Sequence, residues 1–152
     1  MIITFCGHSQ FTKSIECEQK LLKFLHEKVG TQQADMYLGG YGGYGGFDNF
    51  AYECCKKYQK THPNVSLVFI TPYLTIEYQQ TRLQFAQMKF DSILYPNIED
   101  KPKRYAITYR NRYMVEQADY IVAYITHDWG RAYTTYQYAQ RKGKEIFNLA
   151  TF

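Results

Sequence analysis

The sequence predicts a three-layer α/β sandwich built on a mostly parallel sheet. One observation is the alternation of short β-branched and aromatic runs with longer stretches of helical period, which is how repeated βαβ units appear in a sequence. The other is composition: 152 residues, 45% hydrophobic and 21% charged, describe one globular domain large enough to hide roughly two thirds of its unfolded surface. That domain is expected to fill residues 1–152, with no linker, repeat or disordered tail.

The strand-like runs cover residues 2–6, 35–38, 65–71, a weaker 92–95, 120–125 and 145–149. Between the first two, Ile15, Leu21, Leu22, Leu25 and Val29 recur every three or four positions with Lys and Glu between them. This is an amphipathic helix, stopped near Gly30. Phe47, Phe50, Ala51, Cys54 and Tyr58 repeat the pattern up to the His62-Pro63 turn. A third helix is expected within residues 73–89, with Pro72 either its first residue or part of the loop. A fourth is expected over 102–117 and a fifth over 132–141, stopped at Gly143.

Composition also narrows the function classes. No apolar run approaches the roughly 20 residues of a membrane span, and Met1-Ile2-Ile3-Thr4-Phe5 has no basic leader, so a cytoplasmic protein is expected. Cys6, Cys17, Cys54 and Cys55 show no C-x-x-C spacing, which points to reduced thiols and no metal site. A net charge of +4 suits an anionic small ligand as well as nucleic acid. Sixteen tyrosines supply planar faces that each carry a hydroxyl.

In open parallel sheets, ligands bind beyond the carboxyl ends of the strands, which directs attention to three loops. The first contains Gly7, His8 and Ser9, where Ser9 or Thr12 is suited to cap the next helix. The second holds six of the ten glycines, Gly39, Gly40, Gly42, Gly43, Gly45 and Gly46, and opens directly into a helix. Exposed backbone N–H groups there, together with the helix dipole, favour a phosphate. The loop lacks the Lys-Ser/Thr of an ATP-hydrolysing loop and the spacing of an NAD fingerprint. Asp48, in the first turn, is either a dipole partner or an acceptor for ribose hydroxyls. Glu53, five positions on, points in another direction.

The third loop runs Thr126-His127-Asp128-Trp129-Gly130-Arg131. His127 and the only Trp are suited to hold a base, and Arg131 a phosphate. Residues 101–112 carry five basic residues and no acid, interleaved with Tyr, a pattern that suits a solvated helix face or a nucleic-acid strand. Arg110 falls one turn before Met114, on a face that can turn inward.

Three segments stand out together: Phe5-Cys6-Gly7-His8-Ser9, Gly42-Gly43-Tyr44-Gly45-Gly46-Phe47-Asp48-Asn49-Phe50-Ala51, and Arg110-Asn111-Arg112-Tyr113-Met114-Val115-Glu116-Gln117-Ala118-Asp119. They resemble the SLOG superfamily, a Rossmann-like group, most closely its YpsA-like branch. More distantly the chain resembles the Lonely Guy phosphoribohydrolases and the DNA-processing protein A domain. The resemblance implies a nucleotide-type ligand at the carboxyl edge of the sheet, no cofactor, and pairing of subunits into a homo-oligomer. It also aligns Thr134 with the catalytic Glu of the Lonely Guy enzymes.

A Thr cannot stabilise the oxocarbenium character that develops when a base is expelled. The expectation is therefore a binder of a nucleotide or ADP-ribose-like signal that does not consume it. Its contacts would come from Gly7, His8, Ser9, Gly42, Gly43, Gly45, Gly46, Asp48, Arg110, Asn111, Trp129, Gly130 and Arg131. An N-glycosidase using Asp48 or Glu53, and a single-stranded nucleic-acid module, are the alternatives.

Overall fold

The computed structural model describes residues 1–40 and 46–150. Six parallel strands form one sheet in the order β4-β3-β2-β1-β5-β6, with β1 at Ile2–Gly7, β2 at Ala34–Leu38, β3 at Val65–Ile70, β4 at Ser92–Leu94, β5 at Tyr120–Tyr124 and β6 at Glu145–Asn148. The chain builds outward from β1 to β4, then crosses back to place β5 on the other side of β1. Register is continuous across this reversal, with Phe5 opposite Val122 and Cys6 opposite Ala123. The reversal leaves a crevice beyond the carboxyl ends of β1 and β5.

Helices α1 (Ile15–Lys28), α2 (Gly46–Gln59) and α4 (Gln84–Lys89) cover one face of the sheet, where Ile3 and Phe5 pack with Leu21, Leu25, Phe47 and Leu67. Helices α5 (Ala106–Gln117) and α6 (Arg131–Arg141) cover the other, where Cys6 meets Val115, Ile121, Ala123 and Ala139. The alternation of Ile3/Phe5 with Cys6 is the period of two that a strand buried on both faces imposes. The expected three layers and the mostly parallel sheet are both present.

Several local expectations are corrected. The cap of α1 is Ser14, whose Oγ accepts the Cys17 N–H at 3.1 Å, while Ser9 stays in the loop. Ile15, at the first helical position, lies beyond the buried stripe and is 74% exposed. The third helix is broken: α3 (Ile76–Tyr78), capped by Thr75, runs into a π-helical turn at Gln79–Leu83 before α4. Pro72 therefore belongs to the loop. The wider turn re-aims the helix so that Leu83 and Ala86 reach the core while Ile76, Phe85 and Met88 remain exposed.

At the amino edge, β1 and the start of β5 are tied by a reciprocal pair. The Asp119 N–H donates to the Ile2 carbonyl at 2.7 Å, and the Ile2 N–H donates to the Asp119 carboxylate at 2.8 Å. At the carboxyl edge, Asn148 accepts from the Ile125 and Ala150 N–H groups and donates to the Ile125 carbonyl, fixing the start of the third loop. No helix among the described residues is long and apolar enough to cross a membrane.

Candidate functional site

The crevice is a cleft of about 500 Å³. Its floor comes from the end of β1, one wall from the start of α2 with Gly39, and the other from α5 and the start of α6. It brings together Gly7, His8 and Ser9 from the first loop, Asp48 from α2, Arg110 and Asn111 from α5, and Trp129, Gly130 and Arg131 from the third loop. Gly46 opens α2. Gly42, Gly43 and Gly45 lie outside the described residues.

His8 ties three of these elements together. Its N–H donates to the Tyr124 carbonyl at 3.3 Å, its carbonyl accepts the Phe47 N–H of α2 at 3.2 Å, and its Nε2 accepts the Thr126 N–H at 3.0 Å. The last bond requires an unprotonated Nε2, so the proton of the neutral ring sits on Nδ1. Burial, then the neighbouring His127, lowers the His8 pKa and keeps the ring neutral. One N–H of the α2 terminus is thus spent inside the protein rather than on a ligand.

Upon His8 lies a column of rings. His127 stacks on His8 with centroids 3.6 Å apart and planes within 14°, and Trp129 stacks on His127 at 3.9 Å and 19°. The column begins on a buried ring and ends on an indole that is 63% exposed. His127 Nδ1 is buried without a hydrogen-bond partner among the described residues, so stacking rather than hydrogen bonding holds this ring. Gly130 then caps α6, and Arg131 begins it, which puts a cation beside an N-terminal dipole.

Arg110 behaves differently from Arg131. It is buried, its Nη1 donates to the carbonyls of Ile70 (2.8 Å) and Gly39 (3.0 Å), and its Nε donates to Asn111 Oδ1 (2.8 Å). The guanidinium therefore clasps the ends of β2 and β3, and Asn111 orients it. Gly39 makes room for this: a Cβ there would stand 2.9 Å from Arg110 Cζ. Gly7 does the same for α2, since a Cβ on it would fall 2.3 Å from Phe47 Cγ.

Asp48 is the one carboxylate among the described residues lining the cleft. It is reachable by solvent yet crowded by the walls, and the loss of bulk water raises its pKa while Arg110 opposes the rise. Cys6, also on the floor, is pushed up to about 12 by burial and then by Asp48. It is a neutral thiol with no thiolate to offer as a nucleophile.

Three residues fall elsewhere. Gly46 and Glu53 line a separate depression with Lys13, Glu18, Lys57 and Lys60, away from the cleft. Thr134 turns its hydroxyl back to the Gly130 carbonyl at 3.1 Å, and Thr135, one turn from Arg131, lines the cleft in its place. Sequence reasoning missed Thr135, Ile107 and Met114 as lining residues. The inward stripe of α5, in which Ile107, Arg110, Asn111 and Met114 recur every three or four positions, was the available signal for two of them. Among the described residues no group of three or more His, Cys, Asp or Glu side chains gathers to hold a metal.

Comparison with known proteins bears on the fold. The chain is similar in structure to DNA processing protein A from Helicobacter pylori, a solved structure described for its single-stranded DNA binding mode. The TM-score is 0.62 at 16% identity, and the match covers all of this chain and 66% of that one. This likeness supports the Rossmann-like architecture. No family model matches the sequence, and no curated protein matches it.

Proposed function

We propose that the cleft binds a nucleotide-type molecule and releases it unchanged. The base lies on the exposed face of Trp129, the phosphate meets Arg131 and the α6 terminus, and Asp48 accepts from the ribose hydroxyls. The observation that carries this reading is the His8–His127–Trp129 column, which presents one supported aromatic plane beside a cation and a carboxylate in a single cleft. An indole braced from below by two rings is preorganised for stacking, so little ordering remains to be done when a ligand arrives.

The chemistry available argues for binding over turnover. Cys6 is a neutral thiol, Thr134 and Glu53 stand away from the cleft, and Asp48 is left as a lone carboxylate. Incubation with AMP, ADP-ribose and cyclic ADP-ribose, followed by heat denaturation and mass spectrometry, tests this. Intact ligand recovered on denaturation supports the reading. Free base accumulating with time overturns it, and Asp48→Asn would then be expected to stop the release.

A second reading is favoured by the structural neighbour, which is described as binding single-stranded DNA. Here the seated nucleotide would be one unit of a strand. A 5′-phosphorylated oligonucleotide that binds far more tightly than AMP would favour it.

A further inference from the structure

Residues 101–115 and 129–144 hold nine of the 18 Lys and Arg residues and none of the 14 acids, which leaves the remainder of the chain net acidic. The two segments fold side by side, because the first contains most of α5 and the second contains α6, and these helices pack against each other. Arg110 is committed to the cleft, and Lys144 donates to the carbonyls of Glu116 and Ala118. Other cations of the pair of segments lie over tyrosine rings.

Arg112 sits between two rings, 5.5 Å from Tyr109 and 5.2 Å from Tyr138, and so joins α5 to α6. Lys101 lies over the Tyr109 ring as well, at 5.1 Å. Arg141 and Lys142 approach Tyr138 at 5.7 and 5.4 Å, and Arg104 lies 4.9 Å from Tyr105. Among the described residues Arg104, Arg112, Arg141 and Lys142 meet no carboxylate within ion-pair distance, and Lys101 reaches only its neighbour Asp100, at 4.0 Å. A cation resting on an aromatic face is held in place without being neutralised. The result is a positive stripe on α5 and α6 and the residues flanking them, with none of its cations lining the cleft.

We propose that this stripe is a docking surface for single-stranded nucleic acid. Its phosphates meet Arg104, Arg112, Arg141 and Lys142, and its unpaired bases lie against the tyrosine and guanidinium planes. Charge complementarity calls for a polyanion, and the planar groups set between the charges call for exposed bases. A duplex keeps its bases stacked on one another, and an acidic protein has few ring-sized planes to match. The proposal goes beyond the cleft reading and stands without it.

The test is fluorescence anisotropy of a labelled 12-mer of thymidylate between 50 and 200 mM salt. Four phosphate contacts on a single strand predict a slope of log K on log salt of about −3, a loss of about sixtyfold over that range. Arg104→Gln combined with Lys142→Gln, both exposed, is expected to weaken binding about tenfold and to flatten the slope by about 1.4, with AMP binding in the cleft unchanged. The proposal is overturned if the 12-mer fails to bind at 50 mM salt, or if the double variant keeps the wild-type affinity and slope. Binding of a 12-bp duplex or of heparin as tightly as the 12-mer overturns it equally. If AMP fails to bind while the 12-mer behaves as expected, the cleft reading falls and this one holds.

Discussion

The imidazole of His8 lies flat on that of His127, 3.6 Å between ring centres, with the two residues drawn from loops at opposite ends of the chain. Two imidazolium ions at that spacing repel, so the contact disfavours a charged ring on His8. The Thr126 N–H donated to His8 Nε2 reinforces this. His8 titrates below the ordinary 6.5 because burial disfavours its charged form. A base with a depressed folded pKa leaves the unfolded chain holding more protons, so this contribution to stability is complete above about pH 6.5 and is lost as pH falls through the folded value. Thermal midpoints measured from pH 8 to pH 5 should therefore fall toward acid. His8→Gln, which keeps an acceptor for Thr126, should flatten that dependence.

Arg110 is a clasp before it is anything else. Arg110→Ala removes three charge-assisted hydrogen bonds and strips the Ile70 and Gly39 carbonyls of this donor. The expected cost is on the order of 3 kcal/mol in urea unfolding. Arg110→Lys should recover only part of it, because one ammonium cannot reproduce the planar fork that reaches two strands and Asn111. A loss no larger than that of an exposed arginine would contradict the clasp.

Gly7→Ala tests the seating of α2. The new methyl would occupy space held by the Phe47 ring, and overpacking of this kind costs about 1–3 kcal/mol. Because Phe47 is fully buried and its N–H is bonded to His8, relief by moving α2 also disturbs the cleft. Stability and nucleotide affinity should decline together.

Asp48 predicts a discrimination. A carboxylate accepting from ribose hydroxyls contributes about 1.5–3 kcal/mol, so AMP should bind roughly tenfold or more tighter than 2′,3′-dideoxy-AMP. Asp48→Asn should erase most of that gap while leaving the phosphate contribution intact. With its pKa raised by crowding, Asp48 ionises later than an ordinary aspartate, and the gap should widen as pH rises through that value. Equal binding of the two ligands by the wild-type protein would remove Asp48 from the ribose.

The fold was legible because its signals are local. Buried strands read as continuous runs and amphipathic helices as stripes, so all six strands fall within a residue or two of expectation. The break in the third helix was not, since a π-helical turn at Gln79–Leu83 carries no Pro or Gly to announce it. The cleft was legible as a set of loops. What each residue does there was not: that Arg110 spends its donors on two strand ends, that Gly39 and Gly7 clear space for Arg110 and Phe47, and that His8 supports His127 are facts of distant pairing. Thr134 and Thr135 differ by one position, and only the phase of α6 decides which of them meets the cleft.

Trp129 is the only tryptophan in the chain, so its fluorescence reports on the top of the ring column alone. Titration of the protein with AMP should quench that emission saturably, and ribose 5-phosphate, which has no base, should leave it nearly unchanged even where calorimetry detects the phosphate binding. Emission that ignores AMP at concentrations where calorimetry shows it bound would contradict the account, because the base would then lie somewhere other than on Trp129.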